Sequence, residues 1–172
     1  FDDFRRDSSF PLLIIDRVTE GRRIPPKEGV GLARKIGSDI ALSLIAQNKI
    51  KSQWIYLTDA DAVLPSDYFL RNLPVAGAVL FPFKHVTNDT TLEKCARLYE
   101  LHMDHYEKSV SESGSIYGFT ALGSTMVIGA STYAAVRGFP KKNAGEDFYM
   151  LNKIRKLARI KAVAGTPIEI EA

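Results

Sequence analysis

Two pairs of carboxylates in this sequence have a spacing that suits work on phosphates and hydroxyl groups. Asp59 and Asp61 directly follow the apolar run 54–57, whose aromatic and β-branched residues predict a buried strand. Two carboxylates one residue apart in a turn can converge on a divalent cation, and Mg²⁺ or Mn²⁺ held in this way commonly bridges phosphate oxygens. The first pair therefore predicts a metal site, although the same aspartates would also serve simply to cap the turn.

The second pair, Glu146 and Asp147, follows Gly145 at the predicted start of a helix. Acidic residues favour the first helical turn because the helix dipole stabilises negative charge there. A carboxylate in this position can also act as a general base, which removes the proton of an attacking hydroxyl group. The residue types alone do not decide between a helix-stabilising role and a general-base role for this pair.

The elements that must position these pairs follow from the apolar periodicity. Helical spacing predicts a helix from Gly29 to about Ala46, and a capping-box pattern at Thr90 and Glu93 predicts another. The expected inner face of this second helix is Leu92, Ala96, Tyr99, Met103, Tyr106 and Val110. The other predicted helices are 66–73, a short one from Ser131 and one from Gly145, and the predicted strands are 10–15, 54–57, 76–81, 124–128 and 160–164.

Strands that alternate with helices predict one α/β domain over residues 1–172, with a mostly parallel sheet flanked by helices. Ligands of such sheets bind at the carboxyl ends of the strands, where Asp59 and Asp61 are expected. The chain starts on Phe1 in what resembles the end of a helix and stops in a strand, so both ends are expected to be cut.

The net charge, the cysteine content and the lengths of the apolar runs limit which ligands and which location the chain is expected to have. The net charge of +3 is too small to indicate nucleic acid, but it suits a nucleotide diphosphate or an anionic membrane surface. The single cysteine excludes an intrachain disulfide, and no apolar run approaches the roughly 20 residues that cross a bilayer. The expected location is therefore the cytoplasm, including peripheral attachment to the inner face of the membrane.

Several segments together resemble the family 2 glycosyltransferases, which have the GT-A fold. That family typically shows Asn-x-Gly followed by Ala-Arg-Asn-x-Gly, and the segment 27–37 matches it at Gly29, Ala33, Arg34 and Gly37. Lysines stand at positions 27 and 35, where asparagine is common, so the chain resembles a divergent branch. The strand with its Asp59-Ala60-Asp61 turn and the segments 123–128, 138–140 and 145–148 extend the resemblance in the family's order.

The resemblance implies a GT-A-type, Rossmann-like domain that transfers a sugar from a nucleotide-sugar donor to a hydroxyl of a glycan, lipid-linked or small-molecule acceptor, with inversion. Asp59 and Asp61 would bind the diphosphate through Mn²⁺ or Mg²⁺, with Asp61 preferred as the direct ligand. Asp147 would be the general base, oriented with help from Glu146. Arg34 would lie near the nucleotide or brace its loop, or it would be an ordinary helix-surface arginine.

The chain departs from the family in two respects. The strands that grip the nucleobase in that family have no counterpart before residue 10, and no histidine follows Asp147 to act as a third metal ligand. If residues 1–172 are the whole protein, donor binding is expected to be badly impaired. A module that binds a partner or a glycan without turnover is the non-enzymatic alternative.

A haloacid-dehalogenase-type phosphatase is the enzymatic alternative. Residues 59–63 also fit its Asp-x-Asp motif, with Asp59 as the nucleophile and Asp61 as the acid/base. This alternative leaves the segment around Arg34 unexplained. Among the remaining candidates, His102 and His105 are expected on a polar helix face, His85 in a loop, and Cys95 on or beside the apolar face of its helix. Residues 117–119 are expected to form part of an acceptor platform, with a core position for Tyr117 as the equal alternative.

Overall fold

The computed structural model describes residues 12–172, a mixed α/β arrangement in which helices flank open sheets. The helices of this part of the chain are α1 (Gly29–Ala46), α2 (Thr90–Glu112), α3 (Ala130–Ala135) and α4 (Glu146–Arg155), with one 3₁₀ turn, Gly123–Thr125. The strands are β1 (Trp54–Tyr56), β2 (Ala62–Val63), β3 (Ala78–Leu80), β4 (Phe83–Val86), β5 (Met126–Gly129), β6 (Ile160–Ala162) and β7 (Ile168–Glu171). No helix within residues 12–172 has the length and apolar character needed to cross a membrane.

The core lies on both faces of a four-stranded sheet ordered β1-β5-β3-β6. Successive residues of a strand point to opposite faces. Ala78 and Leu80 of β3 accordingly pack in one cluster with the buried residues of α1, α3 and α4, such as Met150 of α4, whereas Val79 packs in a second cluster with Ile168 of β7. A second sheet, ordered β2-β7-β4, carries β7 and covers this other face.

The predicted α/β class with flanking helices is confirmed, but the sheets are mixed and not mostly parallel. Strand β5 runs antiparallel to both of its neighbours, β1 and β3, and β2 runs antiparallel to β7. Within residues 12–172, the parallel pairs are β3–β6 and β4–β7. A strand buried on both faces has the same continuous apolar sequence in either direction, so composition predicted its presence but not its orientation.

These directions bring several chain segments to one edge of the four-stranded sheet. Because β1 and β3 are both antiparallel to β5, they are parallel to each other, and β6 is parallel to β3. The ends of β1, β3 and β6 and the beginning of β5 therefore share an edge. Asp59 follows β1 at this edge, and the Gly123–Thr125 turn enters β5 there.

Two predicted elements are absent from the part of the chain that the structure describes. Residues 10 and 11 of the predicted first strand lie outside the described residues, and residues 12–15 have no strand partner within 12–172; Ile14 is half exposed. Residues 66–70 form consecutive turns instead of a helix, and residues 71–73 continue as a bend and irregular chain. An eight-residue segment gains few helical hydrogen bonds to offset the cost of nucleation, and the Asp67–Arg71 side-chain pair closes one turn without extending it.

Helix α2 begins as predicted but with a different cap and a different inner face. Asp89, and not Thr90, is the cap residue, and its carboxylate accepts hydrogen bonds from the backbone N–H groups of Thr91 and Leu92. No residue of α2 is buried. The half-buried positions, which define the side turned toward the protein, are Ala96, Glu100, Met103, Glu107 and Val110. Two glutamates thus occupy the face on which only apolar residues were expected.

Candidate functional site

Arg34 of α1 lies at the centre of the candidate site, with its side chain only 8% exposed. Its Nη2 donates to both carboxylate oxygens of Asp59 at 2.6 and 2.7 Å, and its Nε donates to Oε1 of Glu146 at 2.8 Å. Its Nη1 donates to the carbonyl oxygen of Gly123 at 3.2 Å. One guanidinium therefore connects the turn after β1, the turn before β5 and the start of α4.

The position of Arg34 follows from how the start of α1 is held. The backbone N–H of Gly31 donates to the carbonyl oxygen of Lys142 at 2.8 Å, in the loop that precedes α4. A Cβ on residue 31 would overlap the backbone atoms of Pro140 and Lys142, so only glycine permits this approach. Contact between α1 and this loop places the next turn of α1, which carries Arg34, beside Glu146.

The two acidic residues at the start of α4 have different environments. Gly145 precedes the helix in the left-handed conformation, with φ of 68°, which a glycine adopts without strain. The Glu146 side chain turns inward to Arg34 and is 6% exposed. Asp147 is half-buried, and its Oδ1 accepts a hydrogen bond from the backbone N–H of Phe148 at 2.7 Å.

Burial raises the pKa of Asp147 above that of an ordinary aspartate, and the adjacent carboxylate of Glu146 adds to this increase. A carboxylate with a raised pKa is a stronger base, which suits it to remove a proton from a hydroxyl group. The buried residue of the pair thus holds Arg34, and the more accessible residue has the raised pKa.

The aspartates after β1 also differ from each other. Asp61 is exposed, whereas both carboxylate oxygens of Asp59 are engaged by Arg34. Within residues 12–172, no group of three or more His, Cys, Asp or Glu side chains is arranged to hold a metal ion. A phosphatase nucleophile must aim one oxygen at its substrate, so the pairing of Asp59 with Arg34 argues against that alternative.

Replacement of Gly123 by alanine is expected to displace Arg34 from the site. A Cβ at this position would overlap Nη2 and Cζ of Arg34, whose three hydrogen-bonded partners leave it little room to move. We expect a loss of roughly 1–3 kcal/mol in the free energy of unfolding, measured by urea denaturation.

The matched control is Gly37→Ala on α1, where a Cβ meets no atom within 4 Å. Alanine in a helix interior is about 0.5–1 kcal/mol more favourable than glycine, so this variant should be more stable than the parent chain. Equal stabilities for the two variants would contradict the tight packing of Gly123 against Arg34.

Sequence reasoning missed two polar pairs on α2. The backbone N–H of His85 donates to Oε1 of Glu100 at 2.6 Å, and Nδ1 of its ring lies 3.1 Å from the same oxygen. The hydroxyl of Thr120 donates to Oε2 of Glu107 at 2.6 Å. The available signal was the seven-residue spacing of Glu100 and Glu107, which places both on one helix face.

The remaining candidates are found in varied surroundings. His85 lies in β4 and not in a loop, and His102 and His105 are exposed on α2. Cys95 is also exposed, next to Ala96 on the inner face of α2. The predicted acceptor platform at residues 117–119 is half-buried in the loop between α2 and the site.

Comparison of the chain with protein-family models, with curated proteins and with solved structures gave no significant match. The geometry around Arg34 is therefore the basis for assigning a function.

Proposed function

We propose that this chain is a glycosyltransferase catalytic module of GT-A type, which transfers a sugar from a nucleotide-sugar donor to an acceptor hydroxyl with inversion. The observation that carries the proposal is the set of hydrogen bonds made by Arg34. They join the three segments in which the sequence resembles family 2 glycosyltransferases, although these segments are up to 112 positions apart in the chain.

The proposed chemistry divides between the residues at the start of α4. Asp147 takes the proton of the acceptor hydroxyl while the hydroxyl oxygen attacks the anomeric carbon of the donor. The new carbon–oxygen bond forms as the bond to the diphosphate breaks, and the bonding electrons leave with the diphosphate. Glu146 acts as a positioning residue, since its buried carboxylate holds Arg34 at 2.8 Å.

The residues after β1 fit a divalent cation that is held largely by its substrate. Mg²⁺ typically uses one or two carboxylates and takes its other ligands from phosphate oxygens and water. Asp61 is exposed and suited to this role, whereas Asp59 would join it only after giving up contact with Arg34. When bound, Mg²⁺ or Mn²⁺ would stabilise the negative charge of the leaving diphosphate.

Titration of uridine diphosphate or guanosine diphosphate into the protein by calorimetry tests the donor site. We expect binding that requires Mn²⁺, and we expect the Asp61→Asn variant to weaken it by about tenfold or more, because a direct carboxylate ligand is lost. Asp89→Asn is the matched control, since asparagine also caps a helix well and residue 89 lies at the start of α2. If Asp61→Asn binds the nucleotide as tightly as the parent chain does, Asp61 is not a metal ligand. If neither nucleotide binds to the parent chain, the proposed donor site is contradicted as a whole.

A further inference from the structure

A groove lies between α2 and the loop 114–122, next to the candidate site. It consists of two cavities of about 340 and 300 Å³, and Phe119 and Thr120 line both of them. We call this combined space the α2 groove. The loop is fixed from two sides, because Thr120 donates to Glu107 of α2 and the carbonyl oxygen of Ile116 accepts a hydrogen bond from Arg155 of α4 at 2.9 Å.

One part of the α2 groove is aromatic. Tyr99, Tyr106, Phe119 and Phe148 line it, and Tyr99, Tyr106 and Phe148 are each between 44% and 56% exposed. Large aromatic side chains exposed together on one concave surface indicate a binding site, whereas single exposed apolar residues do not. Phe148 directly follows Asp147 in α4, so one aromatic residue of the groove is the sequence neighbour of the proposed base.

The other part of the α2 groove is acidic. Glu100, Asp104 and Glu107 line it on one face of α2, and neither cavity has a lysine or an arginine among its described lining residues. The contacts with His85 and Thr120 orient Glu100 and Glu107, and Nη1 of Arg97 lies 3.5 Å from Oε2 of Glu100. Asp104 is exposed to solvent, and His102 lines the aromatic part. The groove therefore combines flat apolar faces with oriented hydrogen-bond acceptors and carries negative charge.

We propose that the α2 groove is an acceptor subsite that selects saccharides without an anionic group and prefers those that bear an amine. The C–H face of a sugar ring is apolar and packs on an aromatic ring, while its hydroxyl groups donate to carboxylates. An ammonium group is attracted by the three carboxylates, and a uronate or a phosphate is repelled by them. This inference rests on the proposed function, since it places the acceptor beside Asp147.

Three methyl glycosides of the same ring test the selectivity: methyl glucoside, methyl glucosaminide and methyl glucuronide. Each is titrated into the isotopically labelled full chain without nucleotide, and dissociation constants are taken from amide chemical-shift changes. We expect the glucosaminide to bind most tightly and the glucuronide at least about tenfold more weakly, because one charge contact near a protein surface changes affinity by this order. Equal binding of the glucuronide, or no binding of any of the three, would overturn the proposal.

Paired variants locate the binding. Phe148→Ala should reduce affinity for all three glycosides, whereas Tyr149→Ala should not, because the similarly exposed Tyr149 does not line the groove. Asp104→Asn should reduce the preference for the glucosaminide, and Glu112→Gln on the same helix, which lines neither cavity, should leave it unchanged. If the control variant of either pair changes binding and its groove variant does not, the saccharides bind outside the α2 groove.

The nucleotide titration separates this inference from the proposed function. Glycoside binding without any Mn²⁺-dependent nucleotide binding would support the saccharide-binding groove but contradict the proposed transferase function. Nucleotide binding without glycoside binding would retain the donor site and reject the α2 groove as the acceptor subsite.

Discussion

Replacement of Arg34 by methionine should destabilise the chain by about 3–5 kcal/mol, the loss typical when one member of a buried ion pair is removed. Glu146 is 6% exposed, so without Arg34 its carboxylate would remain buried and uncompensated. Methionine keeps an unbranched side chain in the space, so the charge and its hydrogen bonds are the main loss. Urea denaturation at neutral pH gives the free energies of unfolding of both proteins.

The next residue provides the control for Arg34. Lys35 pairs with Asp39 at 2.9 Å on the same helix, and these side chains are 26% and 47% exposed, far more than those of Arg34 and Glu146. An i,i+4 ion pair of this kind contributes only about 0.3–0.5 kcal/mol. Lys35→Met should therefore change stability little, although it removes the same charge from the same helix.

A double variant shows whether the loss in Arg34→Met comes from the buried charge of Glu146. If it does, Arg34→Met combined with Glu146→Gln should be markedly more stable than the sum of the two single changes predicts. Strictly additive losses, or a loss below about 1 kcal/mol in Arg34→Met alone, would show that the guanidinium does not hold the site together.

The local signals of the sequence predicted the elements that carry this site. Helical periodicity predicted α1 with the observed bounds, and an apolar run predicted β1, which two residues separate from Asp59. Gly145 followed by two acidic residues predicted the start of α4, where the left-handed glycine and the helix dipole both act within one turn. These features depend on residues close in sequence, so they can be predicted without knowledge of the tertiary structure.

Features that depend on distant neighbours were not predicted. Strand β5 is apolar throughout, and its antiparallel direction is set by its partners β1 and β3. The inward face of α2 was misassigned because Glu100 and Glu107 are held by His85 and Thr120, which lie outside the helix. Likewise, residues 145–148 alone could not tell which acidic residue is buried, since this follows from the position of Arg34.

Asp147→Asn is expected to lower the rate of sugar transfer by about 10² to 10⁴-fold, the usual contribution of a general base. Asparagine has nearly the same shape and can still accept the hydrogen bond from the backbone N–H of Phe148, but it cannot take a proton. Mn²⁺-dependent nucleotide binding should remain close to that of the parent chain. Asp89→Asn again serves as the control, and near-normal turnover in Asp147→Asn would exclude Asp147 as the base.

The same variant should unfold at a higher temperature than the parent chain at pH 7. Burial raises the pKa of Asp147 from its ordinary value of 3.8, so the folded state binds the proton more tightly than the unfolded state does. The charged carboxylate therefore destabilises the fold above its raised pKa, and this penalty disappears as the pH falls below 3.8. Melting temperatures of both proteins between pH 7 and pH 4 should converge at the acidic end. An inactive variant that is more stable at pH 7 would identify a carboxylate whose burial serves chemistry, whereas loss of both activity and stability would make Asp147 a structural residue.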